Sequence, residues 1–253
     1  MNCKDIEKYH SSSMLRLRAI KDKKIISQDA HDKLLRCISV IPNLKRTRLQ
    51  KNDFQMSVSQ EDPIKLILKE HHVLSSIEIS MDIKGKIEIE KPVVYEEYNI
   101  LVRLLSDKKN ISYREKLDSI QVGDKFKEEG CTRIIAQYHF DIKEPDANEP
   151  FFHLHFGGKH TLDEMCWYPS NIEEPRFPYP PMDIMLLMEF ILQNYYPKES
   201  NGLRQTPEWK VIIKKSQNIF QKYYFEKCIE FLEKDSSTLM QCSLEYNRQI
   251  KDN

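Results

Sequence analysis

The decapeptide FFHLHFGGKH, residues 151–160, holds three of the eight histidines of the chain. Imidazole has the side-chain pKa nearest to neutrality and is also a common ligand of transition metals. A second stretch with a histidine, TRIIAQYHFDI at residues 132–142, precedes the decapeptide by a short loop. Both stretches alternate apolar and polar residues, as strands with one packed face do. The two stretches therefore predict a β-hairpin with ionisable groups on one side.

Antiparallel pairing of these strands brings four ionisable side chains together. Opposed residues in a hairpin share a face, and a one-residue slip would push the aromatic residues out of the core. The register that suits both strands sets His139 opposite His155 and Asp141 opposite His153. Arg133 belongs to the same face, one or two steps away.

The four side chains suit two kinds of chemistry. Three imidazoles and a carboxylate match the ligands of a divalent transition metal such as zinc, iron or manganese. Alternatively, two histidines act as general base and general acid, and Arg133 stabilises the anionic transition state, as in a metal-independent ribonuclease. A third interpretation is a polar sheet face open to solvent that merely tolerates histidine. The sequence leaves all three open.

The proline-rich stretch at residues 173–181, EEPRFPYPP, contains one basic residue, Arg176. A rigid backbone suits an arginine that must be held in place to bind an anion. We therefore expect Arg176 to join the catalytic group. A salt bridge to Glu173, Asp183 or Glu189 explains this arginine equally well.

Charge is unevenly distributed along a chain whose net charge is zero. Residues 16–51 hold 11 Lys and Arg against 3 Asp and Glu, whereas residues 141–189 hold 3 against 10. A basic segment favours contact with a phosphate backbone, because binding releases condensed counterions. A solvated helix face that balances the acidic half is the alternative. The candidate nucleic-acid-binding residues are Lys45, Arg46, Arg48 and Lys51.

The pattern along the chain predicts an α+β fold: a central, mostly antiparallel sheet of about five strands, N-terminal helices and a C-terminal helical layer. Residues 1–52 are predicted to be a basic helical segment, 53–235 the α+β domain, and 236–253 a polar tail. Within SIEISMDIKGKIEIE, residues 76–90, the alternation is interpreted as a hairpin that turns at Gly85.

The C-terminal third predicts two helices. The first runs from about residue 182 to 196, is apolar almost all round, and contains Glu189, whose buried carboxylate needs a partner. The second begins with Thr206 as N-cap and Pro207 at its first position.

Several protein classes are disfavoured by composition. No apolar run reaches the roughly 18 to 20 residues that a membrane span needs, so we expect no membrane contact. The six cysteines form no CxxC pair, which favours reduced thiols and a cytoplasmic location. Glycine-rich phosphate loops and a GxSxG element are also missing from the sequence.

The segments YHFD, FFHLHFGG and PRFPYPPMDIMLLMEFIL resemble a family of uncharacterised bacterial proteins with HLHFGG and PPMD elements. The resemblance covers about residues 130–225. It implies a place in mobile-element, defence or toxin–antitoxin loci, where small nucleases and their regulatory partners are common.

Three functions follow as predictions. The first is a bacterial defence or toxin-type protein that acts on nucleic acid, with phosphodiester cleavage at the histidine hairpin. The second is a non-catalytic subunit that binds a partner protein through its Met-rich and aromatic C-terminal helices, and nucleic acid through residues 16–51. The third is a metal-dependent oxygenase or hydrolase acting on a small molecule.

Overall fold

The computed structural model describes eight parts of the chain. They are residues 3–40, 51–68, 71, 74–88, 91–106, 133–142, 152–156 and 176–235. Within them, six helices accompany a seven-stranded antiparallel sheet, which confirms the predicted α+β class.

The described helices come from the two ends of the chain, and the strands lie between them. The helices are α1 (Cys3–Asp22), α2 (Gln28–Ser39), α3 (Ile184–Tyr195), α4 (Pro197–Arg204), α5 (Pro207–Phe220) and α6 (Lys222–Asp235). The strands are β1 (Lys51–Val58), β2 (Ile64–Ile67), β3 (Ser76–Glu88), β4 (Val94–Ser106), β5 (Arg133–Ile142), β6 (Phe152–Phe156) and β7 (Phe177–Pro178).

The sheet has the strand order β1-β3-β4-β5-β6-β7, and β2 pairs with the other end of the same edge of β3. Long β3 and β4 form the centre, and β5 with β6 forms the hairpin that carries the histidines. The short β7, which comes from the proline-rich stretch, closes the far side of β6.

One face of the sheet carries the core. Its residues include Ile77, Ile79, Met81, Ile83, Tyr98, Ile100, Val102, Phe140 and Phe152. The C-terminal helices cover this face: Phe190 of α3 packs edge-on against Tyr138 and Phe140, and Tyr224 of α6 packs against Phe152. The histidines of the hairpin lie on the opposite face, because neighbouring residues of a strand point to opposite sides.

The hairpin predicted at Gly85 is wrong. β3 runs continuously from Ser76 to Glu88, with only a register shift against β4 at Lys84/Gly85. A Cβ at Gly85 would collide with the carbonyl oxygen of Val94 and press on the ring of Phe54. The glycine therefore permits a close backbone approach and an irregularity in the ladder rather than a turn.

Both predicted C-terminal helices are present, and each begins at a side-chain N-cap: Thr206 is the predicted one, whereas Asp183 was not predicted as a cap. Asp183 caps α3 by accepting a hydrogen bond from the Leu186 amide, and Thr206 caps α5 in the same way. The second predicted helix is divided at Gln221 into α5 and α6, and α4 was not predicted.

The N-terminal helices pack against the C-terminal ones. The Tyr9 ring of α1 lies edge-on to Phe220 of α5, with 5.7 Å between ring centroids, and its hydroxyl donates to Asp183. Lys51 and Asn52, assigned above to the end of a helical segment, instead begin β1. The domain boundaries at residues 52 and 235 stay predictions, and the predicted tail lies outside the described residues.

No helix in the described ranges is both long and apolar enough to cross a bilayer. Cys37 and Cys228 are buried, free thiols.

Candidate metal centre on the histidine hairpin

The β5–β6 hairpin has the predicted register. His139 lies opposite His155, and Asp141 lies opposite His153. Alternation puts all four on one face, because the odd-numbered positions of both strands point away from the core. The convergence predicted from the sequence is confirmed.

The three imidazoles are arranged around the carboxylate of Asp141. Its Oδ2 atom lies 3.7 Å from Nδ1 of His139 and 3.5 Å from Nε2 of His155. Its other oxygen, Oδ1, contacts Nε2 of His153 directly. The rings of His139 and His155 lie edge to face, with centroids 4.5 Å apart. The carboxylate thus uses one oxygen for His153 and offers the other to two nitrogen atoms.

The separations at Oδ2 suit a shared metal ion better than hydrogen bonds. A hydrogen bond is usually 2.7–3.2 Å long, whereas ligands about 2.1 Å from a tetrahedral zinc lie about 3.4 Å from one another. His139, Asp141 and His155 can each offer one ligand atom, and these atoms lie within 4.8 Å of one another. The predicted four-residue ligand set therefore divides into three possible ligands and His153, which holds the carboxylate.

The histidine face is not a solvent-exposed surface. His153 is 1% exposed and His155 is 5% exposed, while His139 and Asp141 are half-buried. Burying polar groups costs free energy unless they have partners. The interpretation of this face as an open surface that merely tolerates histidine is wrong for these residues.

Burial and charge set the protonation of the cluster. Burial lowers the pKa of His139 to about 4, an effect that the negative charge of Asp141 opposes without cancelling. Burial by itself would raise the pKa of the Asp141 carboxyl, but the imidazoles of His153 and His155 outweigh it, so this pKa lies well below its ordinary value. At pH 7 the site therefore combines an ionised carboxylate with a neutral His139.

Arg176 lies next to the cluster. β7 pairs with β6 so that Pro178 is opposite His153, and continuing that register by one step each way places Arg176 beside His155. The charge of Arg176 is close enough to lower the pKa of His139. Arg176 directly precedes β7, so the pairing of this strand, which the sequence did not predict, brings the proline-framed arginine to the site.

Two of the three acidic residues considered as salt-bridge partners of Arg176 bind other groups. Glu189 accepts hydrogen bonds from Arg204 and from Nε1 of Trp209, each with a 2.6 Å contact. Asp183 accepts from hydroxyl groups. Glu173 lies outside the described residues.

Asn99 belongs to the site and was missed in the sequence. It lies on β4 directly opposite Asp141, and its Oδ1 is 3.1 Å from Nε2 of His139. The sequence feature that could have identified Asn99 is its position as a polar residue inside the apolar run YNILV. Its neighbour across the sheet could not be known, because residues 107–132 separate β4 from β5 in the chain.

The polar face continues beyond the cluster along β4 and β5. Arg103 is buried opposite Gln137 on β5 and Glu78 on β3, and it donates to Gln60. Burial lowers the pKa of Arg103, and the charge of Glu78 opposes that effect. Sequence reasoning missed this buried guanidinium as well.

The other predicted site residues are less fully described. Lys45, Arg46 and Arg48 lie outside the described residues. Lys51 and Arg133 are the first residues of β1 and β5, and their side chains lie outside the described part. Their predicted contacts with nucleic acid or substrate stay predictions.

Comparison of the chain with known protein families, with curated proteins and with solved structures finds no match. The resemblance carried by the HLHFGG and PPMD elements stays a prediction. Function must therefore be inferred from the geometry of the hairpin and its neighbours.

Proposed function

We propose that His139, Asp141 and His155 bind one divalent transition metal, and that the protein uses this site to cleave phosphodiester bonds in nucleic acid. We place it in the bacterial cytoplasm, as a defence or toxin-type protein. The observation that carries the proposal is the single carboxylate oxygen faced by two imidazole nitrogens at 3.5 and 3.7 Å.

The protonation of His139 supports a metal site over an acid/base pair that uses this residue. Metal ligands must be deprotonated, and a histidine whose pKa is lowered to about 4 is neutral at pH 7. A general acid must carry its proton near the working pH, which the burial of His139 opposes. The metal-independent ribonuclease arrangement is therefore the weaker of the two alternatives left open by the sequence.

Two histidines and one carboxylate leave coordination positions for water and substrate. A metal held there would lower the pKa of a bound water and polarise a phosphoryl oxygen. Arg176, beside His155, is placed to bind the anionic phosphoryl group and to stabilise the charge that develops on it. His153 holds the far oxygen of Asp141 and so orients the carboxylate.

A nucleic-acid substrate is supported by charge and by resemblance. Residues 16–51 carry the excess of Lys and Arg that a phosphate backbone attracts. The family that the chain resembles is of the kind found in defence loci, where nucleases are common.

Elemental mass spectrometry of the purified protein tests the metal site. We expect about one zinc, iron or manganese per chain, lost in His139→Ala/His155→Ala and kept in His10→Ala, a matched control on α1. Cleavage of a labelled RNA or DNA should be lost in the same double variant. A wild-type protein without metal, even after incubation with each ion, would contradict the proposal. Iron together with no cleavage would favour the small-molecule oxygenase instead.

A partner-binding subunit is the second candidate, and the surface of α6 favours it. Phe225, Ile229 and Leu232 recur at helical spacing and are 47%, 54% and 45% exposed. An exposed apolar stripe on a helix is typical of a protein–protein contact. The methionines of the predicted Met-rich surface, Met182, Met185 and Met188, are buried and cannot form it.

Substitution of this stripe separates the two candidates. If the protein is a subunit, Phe225→Ser/Ile229→Ser should abolish biological activity and partner co-purification, while His139→Ala/His155→Ala retains both. Val211→Ser, at an exposed apolar position on α5, is the control.

A further inference from the structure

The side chain of Asn99 contacts the outer ring nitrogen of His139. The two atoms, Asn99 Oδ1 and His139 Nε2, are 3.1 Å apart. The other ring nitrogen, Nδ1, faces Oδ2 of Asp141 at 3.7 Å. The imidazole therefore lies between an amide on β4 and the cluster on its own hairpin.

This arrangement has a consequence for the tautomer of His139. An amide oxygen only accepts hydrogen bonds, so Nε2 must carry the proton for this contact to form. In a neutral imidazole, Nδ1 is then unprotonated, and its lone pair points toward Asp141 and His155. The opposite tautomer would put a proton between Nδ1 and the carboxylate and would block Nδ1 as a ligand.

We infer that Asn99 is a positioning residue that holds His139 in the Nε2-protonated tautomer, so that Nδ1 is available as a metal ligand. The inference rests on the proposed metal site. Outer groups of this kind orient ligating histidines in many metal sites, usually as a carboxylate, carbonyl or water. Here the group comes from a neighbouring strand, which also fixes its distance through the β4–β5 register.

The contact between Asn99 and His139 depends on the pairing of β4 with β5 and not on the β5–β6 hairpin. β4 pairs with β5 so that Asn99 is opposite Asp141 and Leu101 is opposite His139. The amide thus approaches His139 diagonally, at a spacing that side chains of adjacent strands can span. The other three cluster residues would converge without β4, but the tautomer of His139 would then be undetermined.

Two variants of the full-length protein test the inference. Asn99→Leu removes the acceptor at similar size, and Asn99→Asp keeps an acceptor oxygen. Zinc affinity, measured by competition with a chromophoric chelator, should fall roughly 10- to 100-fold in Asn99→Leu and be maintained or improved in Asn99→Asp. Thermal melting of the metal-free proteins shows whether either variant is unfolded.

A second measurement does not depend on the metal. The ring nitrogen shifts of His139, assigned by comparison with His139→Ala, report its tautomer in the metal-free protein at pH 7. We expect the Nε2-protonated form in wild type and Asn99→Asp, and a mixture or the opposite form in Asn99→Leu. A Nδ1-protonated wild type, or an Asn99→Leu variant with wild-type zinc affinity and tautomer, would overturn the inference. Absence of zinc binding together with the expected tautomers would instead refute the metal site and leave the role of Asn99 standing.

Discussion

The carboxyl groups of Asp141 and Asp183 are both at least partly buried, but their pKa values are shifted in opposite directions. Asp141, on the histidine hairpin, is surrounded by three imidazoles, and its pKa is held below the ordinary value although burial opposes this. Asp183, at the start of α3, is completely buried and has its pKa raised by that burial. Hydroxyl groups of Tyr9 and Ser216 and the Leu186 amide donate to it.

The difference lies in what surrounds each carboxylate. Asp183 receives only donors, and each of its oxygens has a partner, so it joins α1, α3 and α5 into one core. Asp141 shares its Oδ2 with two nitrogen atoms at distances too long for good hydrogen bonds. A saturated carboxylate stabilises a fold, whereas one that faces basic nitrogens can bind an ion. Burial alone does not tell these two roles apart.

Removing Asp183 should have the largest effect on stability. Asp183→Ala eliminates the cap of α3 and leaves two buried hydroxyls without their acceptor, for a loss of about 3 to 5 kcal/mol. Urea unfolding followed by circular dichroism measures it. Asp183→Asn, which keeps one acceptor oxygen, should lose less. If Asp183→Ala lowered the free energy of unfolding by less than about 1 kcal/mol, Asp183 would not have the structural role that distinguishes it from Asp141.

Asp141→Asn should lower the affinity for metal and should affect stability less than Asp183→Ala does. Loss of an outer partner usually costs 10- to 100-fold, so loss of the central ligand should weaken zinc binding by more than about 100-fold. The metal-free variant should unfold with a free energy closer to wild type than Asp183→Ala. Competition with a chelator and urea unfolding, on the same preparations, measure both. Unchanged zinc affinity would place any metal elsewhere.

The pH dependence of stability should distinguish the two regions. His139 titrates near 6.5 when unfolded and at about 4 when folded, so the unfolded chain binds more protons between these values. Its contribution to stability is therefore present above pH 6.5 and is lost as the pH falls toward 4. The raised pKa of Asp183 has the opposite effect on stability: the folded protein binds a proton at Asp183 more readily than the unfolded chain does, so this contribution increases as the pH falls.

The two contributions overlap in pH, so variants must separate them. The difference in unfolding free energy between wild type and His139→Gln, both metal-free, should decrease by about 3 kcal/mol from pH 7 to pH 4. Urea unfolding at half-unit pH steps provides this difference. A constant difference would mean that His139 is not buried in its neutral form.

Ser216→Ala should give the smallest effect. It removes one of the donors to Asp183 and should cost about 1 kcal/mol at pH 7. Because Ser216 lowers the pKa of Asp183, its loss should raise that pKa further. The destabilisation should thus be greater at pH 7 than at pH 4, where the carboxyl is protonated more readily. Equal destabilisation at both pH values would show that Ser216 does not sense the charge of Asp183.

The histidine hairpin could be predicted because its information is local. Strand alternation, a short loop and the aromatic residues of one face together restricted the register, and the structure has the pairs His139–His155 and Asp141–His153. The start of α5 at Thr206 could also be predicted from local sequence, since a cap bonds to a backbone amide three residues further on.

Local reasoning was insufficient at Gly85. Apolar residues at odd positions continue in phase through Ile83 and Ile87, which suits an unbroken strand as well as a hairpin. Which one forms depends on Phe54 and Val94 packing against the glycine, and these contacts come from other strands.

The sequence by itself determined the α+β class, the hairpin register and the four residues that converge on it, because alternation and capping act over a few residues. Only the tertiary structure decided that Asn99 joins this cluster, and that Arg176, which the sequence left as either a site residue or a salt-bridge partner, lies beside it. The same holds for Tyr9, which reaches Asp183 across 174 positions of the chain. These partners depend on the order of strands in the sheet and on the packing of distant helices. Both are settled by the burial of a shared core, which no short stretch of sequence contains.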